Sequence, residues 1–489
     1  MPASLFEINT RPWVRLRAEE LGRPATLDDM PDAELDRLAG MGFDWIWLLG
    51  VWQTGEEGRR IALTLPGLLE EYRRALPDFE ERDVCGSCFA LTGYTVRQDL
   101  GGVDAMGRFR ERLRDRGMRL MLDFVPNHTA VDHPWVAEHP EYYVPGTEED
   151  LRRAPGNYRR VGTSPGEQIL AHGRDPYFPG WTDTLQLNYA EPALQEAMAA
   201  ELGHVAGQCD GVRCDMAMLV LPEIFERTWG RRAAPFWPRA IASTRAAHPG
   251  FVFLAEVYWD LEWTLQQQGF DYAYDKRLYD RLRAGGARGV RDHLRAGLDY
   301  QGRLARFLEN HDEPRAAEVF PEAVHRAAAA IAYLTPGLRF LHQGQPEGMQ
   351  TRVPVQLCRG PREPVDQAIR SFYQRLIPCL HLDAVRRGTW RLVECAPAWE
   401  GNGTWDCFVA FAWEGDERRR LLGAVNYAAN RSQCYAGIPF ADLRGRPVRF
   451  RDLLSDAVYE RDGDDLLQRG LYLDLPEWGY HLFDVTAVR

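Results

Sequence analysis

Lysine is all but missing from this sequence. Of its 59 Lys and Arg residues only one, Lys276, is a lysine, a bias of composition to which no functional weight attaches. Long basic runs are missing too, and the formal charge is −12. That balance argues against nucleic acid or an anionic membrane as a partner and favours a neutral small-molecule substrate. No stretch reaches the ~18 consecutive apolar residues that a membrane-spanning helix needs. The opening MPASLFEINTRPW lacks the basic start and apolar run of a secretory signal, so the expected location is cytoplasmic. Nine cysteines, an odd number, are then expected as reduced thiols. Cys85 and Cys88 form a C-x-x-C with no second pair at ligand spacing, and read as two loop cysteines rather than a zinc or redox motif. Internal repeats and low-complexity tracts are lacking, and nothing in the sequence fixes an oligomeric state.

What is present is alternation. At 489 residues the chain is too long for one compact core, and two or three domains are expected. Short β-type runs at 5–9, 43–49, 118–125, 211–214, 251–255, 270–274, 304–308 and 338–341 alternate with amphipathic stretches such as 32–38, 103–116, 193–205 and 236–247. Eight such strands predict a parallel (β/α)8 TIM barrel, with an open doubly wound sheet as the competitor. The connection after the third strand is far longer than ordinary loops. Its Pro, Gly, Tyr and charge predict an irregular inserted subdomain, placed at 129–185 between barrel segments 1–128 and 186–387. After residue 388 strand-like runs separated by turn residues, such as DCFVAFAWE and RLLGAVNYA, predict a C-terminal antiparallel β-sandwich over 388–489.

Polar clusters fall at four predicted strand ends, where barrel chemistry sits. The third strand ends MLDFVPNHT, with Asp123, Asn127 and His128; the fourth, DGVRCDMA, with Arg213 and Asp215; the fifth, FLAEVYWD, with Glu256. The seventh runs FLENHDEPR, an apolar strand driven into Glu309, Asn310, His311, Asp312 and Glu313. Burying so many ionised groups at one rim costs several kcal/mol each unless they are paired or used. Taken singly, Asp123 or Glu309 reads as the partner of a buried arginine.

In this order and on these strands, DFVPNH, GVRCD, AEVYW and ENHDEPR resemble the four signature regions of the α-amylase family of retaining α-glucosidases and transglycosylases. GWTDTLQLNY (180–189) resembles the family's further motif near the end of the inserted domain, and GSCFALTGY (86–94) lies where the family carries a substrate-stacking aromatic. The resemblance implies Asp215 as nucleophile, Glu256 as acid/base and Asp312 as the third carboxylate, stabilising the transition state. It also implies His128 and His311 as sugar contacts and Phe89 as the stacking aromatic. Arg213, two residues before Asp215 and so on the same side of the strand, would keep that carboxylate ionised, and Asp123 would orient Arg213. The expected activity is hydrolysis of α-linked gluco-oligosaccharides. Glucan transfer or sucrose-type phosphorolysis are the alternatives on the same residues, and a non-catalytic binding partner is the alternative from another class.

Two departures from the family stand out. Starch-cutting relatives follow the nucleophile with two apolar residues, Lys and His; here Met216, Ala217, Met218 and Leu219 follow. Asn127 matches a calcium-ligand position, which leaves a structural Ca2+ open although the chemistry requires no cofactor. LHQGQPEGMQ (341–350), after the eighth strand, offers Gln345 and Glu347 as substrate-shaping or merely solvated loop residues.

Overall fold

The computed structural model describes residues 3–416 and 419–488. Eight strands, Ser4–Asn9 (β1), Trp45–Leu49 (β2), Arg119–Phe124 (β3), Gly211–Cys214 (β4), Val252–Ala255 (β5), Tyr272–Tyr274 (β6), Leu304–Arg306 (β7) and Leu338–His342 (β8), close into a barrel. Every neighbouring pair is parallel, and β1 seals the ring by pairing with both β8 and β2, at Leu5↔Phe340 and Leu5↔Trp45. All eight coincide with predicted strands, and the open-sheet alternative is excluded by the closure. These strands read as near-continuous apolar runs because side chains face either the barrel interior or the surrounding helices, and both environments are dry. Apolar helix faces supply the outer wall: Pro192–Gln208 buries Leu194, Met198, Leu202 and Val205.

Two further units flank the barrel. In the long connection after β3, His128–Ala130 pairs antiparallel with Thr184–Gln186 and forms a neck. Beyond the neck, Tyr158–Thr163 and Gly166–Ala171 make a hairpin. After Thr389 the chain builds a six-stranded and a three-stranded antiparallel sheet around a core that includes Phe408, Phe450, Leu473 and Phe483. This unit is tied to the barrel by the Trp413 indole N–H, which donates to the Leu334 carbonyl at 2.7 Å, and by the Tyr427 hydroxyl, which donates to the Leu282 carbonyl at 2.7 Å. Among the described residues no helix is long and apolar enough to cross a membrane.

Candidate active site

The polar strand ends converge on Arg213. Its guanidinium is fully buried and donates from Nη1 to Asp215 Oδ1 at 2.8 Å and from Nη2 to Glu256 Oε2 at 2.7 Å. One planar fork thus grips both carboxyls and holds them a few ångströms apart. Backbone bonds fix where those side chains start, since Asp215 N–H donates to the Phe124 carbonyl at 2.8 Å and Glu256 N–H to the Cys214 carbonyl at 3.1 Å. Both residues therefore continue the barrel ladder one step past the strand. Met216 then turns left-handed, φ 42°, which aims its N–H at Glu256 Oε2, 2.7 Å away. A non-glycine residue in that region is uncommon and is tolerated where surrounding bonds over-determine it.

Asp123 lies behind this pair. Its Oδ1 is 3.6 Å from Arg213 Nη1 and its Oδ2 accepts from the Gly50 N–H at 3.3 Å, the orienting place expected for it. Phe89 sits over the Arg213 guanidinium at 5.1 Å and faces the His311 ring at 5.4 Å. His128 packs against Trp181, with ring centroids 5.2 Å apart. Burial pushes its imidazole down to about 3, so it is neutral at physiological pH.

The five polar residues that end the β7 run separate by role. Glu309 is wholly buried and structural: it accepts from the Ala316 N–H at 2.7 Å and pairs with His342 at 3.0 Å and Arg315 at 3.1 Å. The Asn310 side-chain oxygen, Oδ1, accepts from the N–H groups of Asp312 and Glu313, each at 2.9 Å, and so shapes the turn. Glu313 turns away to Lys276, 3.1 Å distant. That leaves His311 and Asp312, paired at 3.0 Å through Nε2. The Asp312 side chain is 47% exposed and opens on the mouth.

Glu7, on β1, joins this cluster, and motif reading misses it. Its fully buried carboxylate meets His311 Nδ1 at 2.5 Å. Burial alone would lower the imidazole pKa, but Asp312 and Glu7 outweigh it and raise the ring well above its ordinary value. Burial likewise opposes ionisation of Asp312, yet His311 holds its carboxyl at about 2. The sequence signal was available: a glutamate inside the apolar strand SLFEIN, with a side chain that period two sends to the same face as Leu5 and Asn9. Glu7→Gln is expected to cost about 3 kcal/mol near neutral pH, because a buried imidazolium loses a partner. His311 stabilises the fold fully below its unfolded pKa of about 6.5, and this contribution fades as pH rises through the elevated folded value. Urea denaturation of the two proteins should therefore give a gap largest at mildly acid pH and shrinking in alkali.

Five carboxyls, Glu7, Asp123, Asp215, Glu256 and Asp312, thus share two cations, Arg213 and the His311 imidazolium. Such an excess cannot all ionise in a dry site. Burial, with Asp215 and Asp312 nearby, pushes Glu256 up to about 7 against the pull of Arg213. Asp123 is pushed up to about 7 by burial, and Asp215 is raised by burial while Arg213 counters it. Tyr258, two residues on, donates its hydroxyl to Glu256 Oε1 at 2.8 Å. The rings of Trp47 and Tyr274, which no motif marks, lie 5.3 and 5.9 Å from the Arg213 guanidinium.

Beside Asn127 the donor set does not fit a calcium ion. Its side-chain oxygen accepts from Gln186 Nε2 at 2.9 Å, and its amide nitrogen donates to Gln186 Oε1 at 3.2 Å and faces His128 Nδ1 at 3.3 Å. Among the described residues no group of three or more His, Cys, Asp or Glu side chains could hold a metal. Asn127 locks the neck strands together. Gln345, read as a substrate-shaping or solvated loop residue, is buried instead and donates to the hydroxyls of Tyr333 and Tyr373, each at 2.7 Å. A cavity of about 540 Å³ adjoins the acid residues, lined among others by Phe178, Met216, Tyr258, Trp259, Lys276 and Glu313.

Comparison with known proteins agrees with this arrangement. The family model for the alpha amylase catalytic domain matches residues 33–268. The chain is 25% identical over 391 residues to the alpha-amylase MalA of Haloarcula japonica, covering 77% of this chain and 48% of that protein. It is 27% identical over 365 residues to an alpha-1,4-glucan:maltose-1-phosphate maltosyltransferase of Burkholderia pseudomallei, covering 70% and 27%. The chain thus spans about half or less of the length of the curated relatives it matches. In fold it is similar to the maltogenic alpha-amylase AmyB of Thermotoga neapolitana, with a TM-score of 0.71 and 19% identity over 100% of this chain and 99% of that one. A closed eight-stranded barrel, carboxyls from three strand ends gathered on one arginine and a match over residues 33–268 lead to one assignment: this chain carries a segment similar to the alpha amylase catalytic domain, in a barrel with the fold of the alpha-amylases.

Proposed function

We propose that the protein is a retaining α-glycosidase acting on α-linked gluco-oligosaccharides through a covalent glycosyl-Asp215 intermediate. The observation that carries this reading is the shared guanidinium, which sets Asp215 and Glu256 side by side. Retention requires two carboxyls roughly 5–5.5 Å apart, one attacking the anomeric carbon and one protonating the leaving oxygen. Burial raises the Asp215 carboxyl, and Arg213, donating to it at 2.8 Å, favours the carboxylate form. Glu256, with a pKa near 7, starts the cycle protonated, donates to the departing sugar, and then takes the proton of the incoming hydroxyl. The surplus of negative charge favours the oxocarbenium-like transition state, and Asp312, exposed at the rim, is placed to bind sugar hydroxyls. Maltotriose followed by NMR tests the reading. α-Configured first products support it; β-configured products refute it.

Transfer to a sugar acceptor uses the same residues, so the cleft beyond Glu256 bears on the choice of acceptor. Asp175, Asp260, Glu262, Asp280 and Glu313 face it against Lys276 and Arg277. Both cations are already engaged, Lys276 with Asp280 and Glu313 and Arg277 with Asp260. Such a wall disfavours phosphate and suits water or a neutral sugar, so added phosphate should yield no sugar phosphate by mass analysis. Lys276→Met frees Glu313 and is expected to raise KM for a saccharide leaving or accepting group roughly 5-fold, on the scale of one partly exposed ion pair. Turnover of an aryl glucoside lacking that second sugar should stay within about twofold. The presence of Asp215, Glu256 and Asp312 together weighs against a purely binding role. Nine free cysteines suit a reducing cytoplasm.

A further inference from the structure

Cys85 and Cys358 lie far apart in sequence and meet above β1. The loop after β2 and the loop after β8 are joined there by the antiparallel bridge Val84↔Leu357. Cys85 N–H donates to the Gln356 carbonyl and Cys358 N–H to the Asp83 carbonyl, each at 2.8 Å. In that register both cysteines follow the bridged pair and leave the ribbon on one face as diagonal neighbours, Cys85 Sγ 3.3 Å from the Gln356 carbonyl and Cys358 Sγ 3.7 Å from that of Arg82. Arg11 adds a fixed cation, with Nη1 3.1 Å from Cys85 Sγ. The arginine cannot drift, because it also donates to the carbonyls of Gly86 at 2.7 Å and Gly50 at 3.3 Å. Both cysteines are half-buried and so open to a small molecule, whereas Cys88 is buried.

We propose that Cys85 and Cys358 form a peroxide-reactive dithiol, with Cys85 the attacking thiolate and Cys358 the resolving thiol. The Cys85 sulfur attacks one oxygen of a hydroperoxide; the O–O bond breaks, and the departing oxygen takes up a proton and leaves as alcohol or water. Cys85 is now a sulfenic acid, oxidised by two electrons while the peroxide is reduced by two. The Cys358 sulfur then attacks the Cys85 sulfur, the S–S bond forms, and the S–O bond breaks. The hydroxyl leaves as water with the proton of the Cys358 thiol. Arg11 and the Cys358 S–H both stabilise the Cys85 thiolate: the Cys358 hydrogen bond, with help from Arg11, lowers the thiol to about 6 against the cost of burial. The resulting disulfide staples the β2 loop to the β8 loop, four residues before Phe89 on the active-site wall. Cys395 and Cys434 share the three-stranded sheet of the sandwich, but Cys434 is buried in its core and, among the described residues, lacks a cation like Arg11 at its sulfur.

Fully reduced protein is treated with one equivalent of hydrogen peroxide and mapped by peptide mass. The expected product is a linked Cys85–Cys358 peptide lacking two hydrogens, restored by dithiothreitol. In Cys358→Ser the oxidation stops at a Cys85 sulfenic acid that dimedone traps; in Cys85→Ser the Cys358 thiol stays unmodified. Iodoacetamide labelling of Cys85 should follow a pH profile with a midpoint near about 6, moved upward by about one unit or more in Arg11→Met. If Arg11→Met does not fold, the two cysteine variants decide alone. Cys85 reacting no faster than the half-buried Cys407, or pairing with Cys88, would overturn the proposal.

Discussion

Asp215→Asn should remove turnover almost completely, by roughly 10^4-fold or more, while leaving the fold intact. The amide is isosteric, so Arg213 keeps a hydrogen-bond acceptor, but a neutral oxygen cannot attack an anomeric carbon. A slow-reacting fluorinated glucosyl donor separates this from a loss of binding. Wild-type protein is expected to gain one covalent glucosyl group on the peptide that contains Asp215, and the variant none. Circular dichroism and retained binding of maltotriose show that the site survives. Labelling on any other carboxylate would reassign the nucleophile, and unchanged turnover would favour a binding role. The expected loss is large because Asp215 is reached by no substitute: Asp123 lies behind Arg213, and Glu256 faces Tyr258 and the Met216 amide.

The barrel was legible because each of its strands is an apolar run short enough to exclude a helix, and four of them end in residues too polar for a core. Boundaries moved where side chains kept the pattern but backbones left the ladder. Phe307 and Leu308 are buried, yet β7 stops at Arg306. The three carboxylates, Arg213 and the two histidines were legible because each is anchored to a strand end whose position the sequence reveals. Glu7 was not, since one charge in an apolar strand carries no motif and its partner, His311, lies at the other end of the barrel sequence. Trp47 and Tyr274 escaped for the opposite reason, because aromatics on barrel strands are the ordinary filling of a core. Cys85 and Cys88 lie in a loop, as the spacing suggested, but the strand that runs beside Cys85 carries Cys358, 273 residues on and brought in by barrel closure alone. Asn127 shows the same limit. Its position matched a ligand pattern, and only the register of the neck strands reveals Gln186 as its partner.

Glu256→Gln tests the acid, and its signature is a change in pH dependence as well as in rate. In the resting protein Glu256 is held near 7 by burial and by the neighbouring carboxylates. Because cleavage needs the protonated form, kcat/KM for maltotriose should fall as pH rises through about 7. Glutamine cannot titrate, so the variant should lose that alkaline limb along with about 10^3-fold in rate on maltotriose, inside the 10^2–10^4 range of general acid catalysis. Dinitrophenyl α-glucoside behaves differently, since its leaving group departs without a proton. The first turnover should proceed within about tenfold of wild type, release a burst of phenolate, and stall, because the same residue is the base that activates water. Azide, which needs no base, should relieve the stall and give the α-glucosyl azide, a product wild type does not accumulate. Equal losses on both substrates, with the alkaline limb intact, would place the acid elsewhere. Tyr258 then becomes informative: Tyr258→Phe removes the donor to Glu256 Oε1 and with it a bond that favours the ionised carboxylate. The alkaline limb should therefore move upward in pH, the direction opposite to that expected if Tyr258 only packed the loop and its loss let water reach the carboxyl.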